Sequence, residues 1–235
     1  MTIEEYLKKC QNEYKVDLDL PPNYSYPNGN QINTIVPICT AINKFMIIGK
    51  FPTAEFINGK IPFNDIDSTF SIETKAGKIL DEMLSEIGVK RDDCWITNLV
   101  KVYLDDKQRK WDKFRPYAEK SMNWLYAEFC IANPKIVITL GEDVLQILKN
   151  EANSPEPIQY MIKHDLGDPI LDPFGGTRIT VNLNRKAYNI IPLRHPGYFL
   201  RDSEELGISK KDKWDTFVKE TAPNAKDQIS KITNL

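Results

Sequence analysis

Four short apolar runs punctuate the chain, at residues 45–49, 94–100, 135–141 and 189–193. None of them alternates polar and apolar positions, which is typical of strands in a parallel sheet that helices cover on both faces. Segments with helical periodicity separate the runs. The pattern therefore predicts an α/β fold, a three-layer α/β/α sandwich around a central, four-stranded, mostly parallel sheet.

The segments between the runs predict the helices. Apolar residues recur at helical spacing in 74–88, which Gly88 ends, and in 112–132, which Asn133-Pro134 ends. A helix begins directly after the third run, at residue 142, and shorter helices are predicted at 2–14 and about 211–221. The Gly-rich segment before the fourth run predicts a hairpin.

Length and composition indicate one globular unit. The chain has 235 residues, of which 41% are hydrophobic and 27% charged, with a net charge of −2. We expect residues 45–235 to form the functional domain and residues 1–44 to be a helix and loop extension. No apolar run approaches the roughly 18 residues that span a membrane, and the polar N-terminus is no secretory signal. We therefore expect a cytoplasmic monomer without a membrane partner.

The four cysteines, Cys10, Cys39, Cys94 and Cys130, are widely separated, and none forms a CxxC pair. The spacing matches neither a zinc site nor a redox motif, so we expect no metal.

Polar and aromatic residues follow the predicted strands. Gly49 and Pro52 come after the first strand, Asn98 after the second, Gly141 after the third and His195 after the fourth. The carboxyl ends of parallel strands converge on one crevice. An amide and an imidazole in that crevice, with nearby aromatic rings, suit the recognition of a flat heterocycle.

The ordered set G-x-x-P-x-x-E, G-x-x-P-F, A-G-x-x-L, T-N-x-V-K, P-K-I-V-x-x-L-G and H-P-x-x-x-L-R resembles the uracil-DNA glycosylase superfamily, especially its family 4 and family 5 branches. The resemblance runs from about Phe45 to Arg201, roughly two-thirds of the chain. It implies a DNA glycosylase of base-excision repair that removes uracil, or a related deaminated base, flipped out of DNA.

The resemblance also implies roles for individual residues. Phe63 stacks on the everted base, with Gly49 and Pro52 beside it; Asn98 binds the Watson–Crick edge and His195 reaches the uracil O2. An amide satisfies uracil N3–H and O4 together, whereas cytosine presents the reverse pattern. A donor at the carbonyl oxygens stabilises the negative charge that builds on the departing base.

Residues expected to contact DNA come from the loop after His195 and from the T-N-x-V-K motif. The window 185–213 carries seven basic and four acidic residues, which favours a local DNA-binding surface. The predicted contacts are Lys101, Arg194, Gly197, Tyr198 and Arg201.

The motif positions depart from the family in three places. Lys50 and Phe51 follow the first motif glycine, where the branches carry acidic residues or asparagine, so Glu55 becomes the candidate for positioning the attacking water. Val102 and Ser121 stand where family 4 enzymes have cysteines of an iron–sulfur cluster, and the N-terminal CxxC is missing, so no cluster is expected. An insertion at about 64–75 follows Phe63.

Two functions of different class fit these observations. The first is a monofunctional glycosylase that depends on Asn98, His195 and Glu55. The second is a catalytically impaired base-binding or DNA-binding module, which Lys50 and Phe51 favour. Plain structural roles also stay open: a strand-end histidine for His195, a cap for Asn98, a core ring for residue 63 and a surface carboxylate for residue 55.

Overall fold

We analysed the chain as a computed structural model, which describes residues 1–20, 24–25, 33–52, 70, 72, 74–151, 174–183, 186–203 and 207–233. The helices are α1 (Ile3–Asp17), α2 (Lys75–Glu86), α3 (Trp111–Ala132), α4 (Glu142–Glu151), α5 (Lys210–Thr216) and α6 (Ala222–Thr233). The strands are β1 (Phe45–Gly49), β2 (Cys94–Asn98), β3 (Ile136–Leu140), β4 (Ile179–Leu183) and β5 (Lys186–Leu193). Short 3₁₀ turns occupy Arg91–Asp93 and Pro196–Leu200.

One central sheet organises the fold, with the strand order β2-β1-β3-β5-β4. The first four of these strands run parallel, and β4 pairs antiparallel with β5 at one edge. Strands β2 and β3 are buried along their whole length, as continuous apolar runs predict for a sheet covered on both faces. The predicted α/β class is confirmed.

Two apolar cores lie on opposite faces of the sheet. Helices α1, α3 and α4 contribute to the core on one face, and α2 and α6 contribute to the core on the other. Helix α1 begins at a capping box in which Thr2 and Glu5 satisfy each other's backbone N–H groups. Its buried side chains, Tyr6, Cys10 and Tyr14, belong to the same core as α3. The division predicted at residue 44 stays a prediction, although α1 shares this core.

Two elements differ from the sequence prediction. The sheet has five strands instead of the four predicted, and the fifth, β4, lies in the segment predicted to form a hairpin. The last helical segment also continues to Thr233, beyond the predicted end near residue 221. A π-helical stretch, Phe217–Thr221, joins α5 to α6 just before Pro223. Proline lacks the N–H that continues an α-helical ladder, so this widening is expected there. Among the described residues, no helix is long and apolar enough to cross a bilayer.

Candidate active site

The carboxyl ends of β2, β1, β3 and β5 form one rim, and three predicted site residues lie along it together with Gly141. Gly49 is paired in register with Asn98, and the Gly141 N–H donates to the Leu193 carbonyl at 2.8 Å. The Cβ that a residue other than glycine would carry at position 141 would lie 3.5 Å from the His195 Cβ. Strand order reverses between β1 and β3, the place where open α/β sheets bind ligands. The structure therefore places Asn98 and His195 on the same rim of the sheet.

Asn98 is held from three directions. Asn98 is only 2% exposed. The N–H of the following residue, Leu99, donates to the Gly49 carbonyl at 2.8 Å. The Lys101 Nζ donates to the Asn98 carbonyl at 2.8 Å. The side-chain Oδ1 approaches Gly49 so closely that a Cβ there would collide with it. Position 49 therefore requires glycine because the Asn98 side chain lies too close for a Cβ, and not because the backbone there has a positive φ.

A buried ion pair lies directly beneath Asn98. The Lys101 Nζ is 2.6 Å from the Glu128 Oε1, and both side chains are 0% exposed. Thr97 accepts from Lys101 at 2.9 Å, while Tyr6 and Trp95 donate to Glu128 at 2.5 and 3.1 Å. Such a pair is tolerated in a core only because hydrogen bonds satisfy its remaining atoms.

The prediction that Lys101 contacts DNA is corrected by this placement. Its ammonium faces the core and is bound there by Glu128, so the side chain presents no surface to a nucleic acid. Lys101 instead fixes the backbone of the residue predicted to recognise the base.

His195 adopts a defined tautomer. Its Nδ1 accepts a hydrogen bond from the Gly197 N–H at 3.0 Å, so in the neutral ring Nε2 carries the proton. Burial, followed by the positive charge of Lys50, lowers the pKa of His195 to about 4. The imidazole is therefore a neutral donor near pH 7. The small Gly197 allows the approach, since a Cβ there would lie 3.1 Å from Nδ1.

Lys50 occupies the rim beside this histidine. Its Nζ is 2.5 Å from the Asp143 Oδ2 at the start of α4 and donates to the Arg109 carbonyl at 3.2 Å. It also lies 4.5 Å from the centroid of the Phe114 ring and 5.2 Å from that of Phe51. The Lys50 ammonium, which stands where the family's branches carry acidic residues or asparagine, is therefore held by an ion pair, a hydrogen bond and two aromatic rings.

Phe70 is a residue of the site that the sequence prediction missed. The centroid of its ring lies 5.6 Å from that of His195, and its Cε2 and Cζ would lie 2.6 and 2.8 Å from a Cβ at Gly49. The only available signal was an aromatic residue inside the insertion at 64–75, whose direction could not be deduced from sequence.

The turn after His195 carries three of the remaining predicted DNA contacts. Arg201 is exposed, whereas Gly197 and Tyr198 are half-buried. Arg194 packs over the Tyr198 ring at 5.1 Å. The buried Lys213 holds the turn by donating to the Arg201 carbonyl at 2.7 Å and the Tyr198 carbonyl at 3.4 Å.

Glu55 and Phe63 lie outside the described residues, so their predicted roles stay predictions. Pro52 is buried just after β1, at the same rim as Gly49.

The residues near α1 do not fit an iron–sulfur cluster. Val102 has no ligand atom, and the buried Ser121 Oγ is bound to the Tyr14 hydroxyl at 2.5 Å. Cys10 is the single cysteine of α1, so the pair of cysteines that the family's CxxC motif supplies is missing. Within the described ranges, no three His, Cys, Asp or Glu residues are grouped as metal ligands. The absence of a cluster stays a prediction.

Comparisons of the sequence with known proteins point to one family. The sequence model of the Uracil DNA glycosylase superfamily matches residues 37–221. A Type-4 uracil-DNA glycosylase of Thermotoga maritima is 27% identical over 181 residues, which are 75% of this chain and 77% of that protein. A Type-4 uracil-DNA glycosylase of Archaeoglobus fulgidus is 32% identical over 75 residues, which are 32% of this chain and 36% of that protein.

Proposed function

Because the chain belongs to the uracil-DNA glycosylase superfamily, we propose that it is a monofunctional glycosylase that hydrolyses the N-glycosidic bond of uracil, or a related deaminated base, in DNA. The observation that carries this proposal is the placement of Asn98, at the end of β2, and of the neutral His195 imidazole, just after β5, on the same carboxyl rim of the sheet. We further propose that it acts as a cytoplasmic monomer in base-excision repair and needs no cofactor.

Base recognition falls to Asn98 and the aromatic residues around it. A base inside a duplex cannot be reached at its glycosidic bond, so the nucleotide is extruded at a cost of a few kcal/mol. Stacking on an aromatic ring, predicted for Phe63, returns about 1–3 kcal/mol per base. The Asn98 amide pairs with uracil N3–H and O4, and a buried amide rejects cytosine because its polar atoms would be left unpaired.

The reaction breaks the C1′–N1 bond, and both electrons of the bond leave with the base. Negative charge develops at N1 and spreads onto the carbonyl oxygens, while C1′ gains oxocarbenium character. The Nε2–H of His195 donates to O2 and stabilises that charge. Water adds to C1′ and gives up one proton, and the uracil anion takes up one proton at N1 from solvent, so the products are an abasic site and uracil. We assign the positioning of this water to Glu55.

The DNA backbone is proposed to lie against the turn after His195. Arg194, Gly197, Tyr198 and Arg201 are the contacts, with the exposed Arg201 guanidinium best placed for a phosphate.

A second function, a base-binding or DNA-binding module without hydrolysis, is favoured by one observation. Lys50 stands where the family's branches place an acidic residue, and it is bound to Asp143 at 2.5 Å. A cation at that position cannot accept a proton from water.

One assay separates the two functions. A fluorescent single-stranded oligonucleotide with one uracil is incubated with the protein, and abasic sites are cleaved with alkali. The glycosylase yields cleaved product that disappears in His195→Ala and Asn98→Ala. Tight binding to the uracil strand without product supports the module. Product that persists in both variants overturns the proposed site.

A further inference from the structure

We propose that Phe70, from the inserted segment, stacks on the everted base and is a second determinant of base binding in this site. The inference deepens the proposed function and rests on it. It concerns a residue outside every motif that the resemblance supplied, because Phe70 lies in the insertion between the P-F and A-G motifs.

The position of the ring carries the proposal. The Phe70 ring edge packs on Gly49 at the end of β1, at the same point above the backbone that the Asn98 Oδ1 approaches. Its centroid is 5.6 Å from that of His195, with the ring planes inclined at 47°. A base that uses Asn98 and His195 together therefore meets the Phe70 ring.

The backbone around Phe70 is fastened in an unusual conformation. Its φ is +55°, in the left-handed region that costs a residue other than glycine roughly 1–2 kcal/mol. The Arg91 Nη2 donates to the Phe70 carbonyl at 2.8 Å, and the Arg91 Nε is bound to Asp81 at 2.6 Å. Strained conformations that persist under such restraint cluster at ligand sites. The restraint favours a fixed wall rather than a side chain that leaves when the base enters.

The test measures the contribution of Phe70 to holding the base. The ligand is a single-stranded oligonucleotide with one 2′-fluoro-2′-deoxyuridine, whose glycosidic bond resists hydrolysis because fluorine disfavours the oxocarbenium ion. The reference ligand is the same strand with thymidine at that position. The measured ratio is the dissociation constant of the thymidine strand divided by that of the 2′-fluoro-2′-deoxyuridine strand. Binding to the DNA backbone is the same for both strands, so this ratio reports the base pocket alone.

We expect Phe70→Ala to lower this ratio about 5- to 150-fold, the effect of losing one base–aromatic stack. Phe70→Leu keeps apolar volume without a π-face and should lose nearly as much, while Phe70→Tyr should keep most of the ratio. Ile72→Ala changes an exposed side chain of the same segment and is the matched control. If Phe70→Ala folds poorly, as circular dichroism would reveal, Leu and Tyr carry the comparison.

Each outcome decides the proposal. Loss in Phe70→Ala and Phe70→Leu with recovery in Phe70→Tyr supports stacking. An unchanged ratio in Phe70→Ala, or full recovery by Leu, overturns it in favour of packing alone. A raised ratio also overturns it, because Phe70 would then block the pocket. A wild-type protein that does not discriminate the two strands overturns the proposed function and this inference together, whereas discrimination that is independent of Phe70 overturns only the inference.

Discussion

Removing the buried cation beneath Asn98 should destabilise the protein and, separately, impair the proposed catalysis. In Lys101→Met, the Glu128 carboxylate stays buried with the hydroxyl of Tyr6 and the Nε1 of Trp95 as donors but without a counter-charge. Breaking a buried pair in this way costs about 3–5 kcal/mol. A domain has only about 5–15 kcal/mol of unfolding free energy in total, so the effect should be large.

The double variant Lys101→Met/Glu128→Gln tests the cause. It removes both charges, and the single glutamine oxygen keeps the bond from Trp95, which donates to the other carboxylate oxygen than Tyr6 does. The new amide NH2 then faces the Tyr6 hydroxyl, which can accept from it while donating to the Trp124 carbonyl. We therefore expect the double variant to be more stable than Lys101→Met alone. Urea titration gives the free energy of unfolding of each variant, and the fluorescence of Trp95, which donates to Glu128, reports the transition.

Activity should not recover with stability. The Lys101 Nζ donates to the Asn98 carbonyl at 2.8 Å, and both variants lack that bond. Both should therefore show a lowered kcat on the uracil strand when they are assayed without urea, where they are folded. The reasoning is refuted if Lys101→Met loses less than about 1 kcal/mol, the size of an ordinary surface change. It is equally refuted if the double variant is less stable than the single one.

Three further predictions follow from the rim. The pKa of His195 is lowered from 6.5 to about 4, so between these two pH values the unfolded chain binds a proton that the folded protein does not bind. The contribution of the neutral histidine to the unfolding free energy is therefore fully present above pH 6.5 and is lost as the pH falls through 4. The urea-unfolding free energy should therefore drop less over this window in His195→Asn, and glycosylase activity should decline near pH 4; equal slopes would contradict the lowered pKa. Gly49→Ala places a Cβ against Phe70 and the Asn98 Oδ1, so kcat/KM should fall at least about tenfold; wild-type kinetics would exclude the close approach. Lys213→Met frees the Arg201 and Tyr198 carbonyls and should weaken DNA binding, measured by fluorescence anisotropy, more than the exposed Lys211→Met does; equal losses would indicate charge alone.

The layers of the fold and the placement of two candidate site residues on one rim could be predicted from local patterns. The bounds of β1 agree with the predicted run, because a buried parallel strand has a continuous apolar sequence. Asn98 and His195 follow from a topological rule, since carboxyl ends of parallel strands share one edge. The edge strand β4 was missed as part of the sheet because its residues alternate in burial, as in any exposed hairpin.

Contacts remote in sequence explain what could not be predicted. Lys101 looks like a surface lysine until Glu128, on another element, is placed against it. Phe70 looks like an ordinary loop residue, because its direction depends on a positive φ and on Arg91, 21 residues away. No local pattern of polar and apolar residues encodes either contact.

Lys50 bears on both proposed functions, and the two effects have one electrostatic origin. Its positive charge contributes to the low pKa of His195, which means that it makes the potential at the imidazole more positive. The same potential favours negative charge placed nearby, as on a base that departs with the electrons of its glycosidic bond. The ion pair with Asp143 reduces this field, and the lysine cannot take a proton from water. In the proposed reaction, Lys50 therefore favours departure of the base but leaves the positioning of water to a carboxylate elsewhere in the chain, for which Glu55 is the proposed residue.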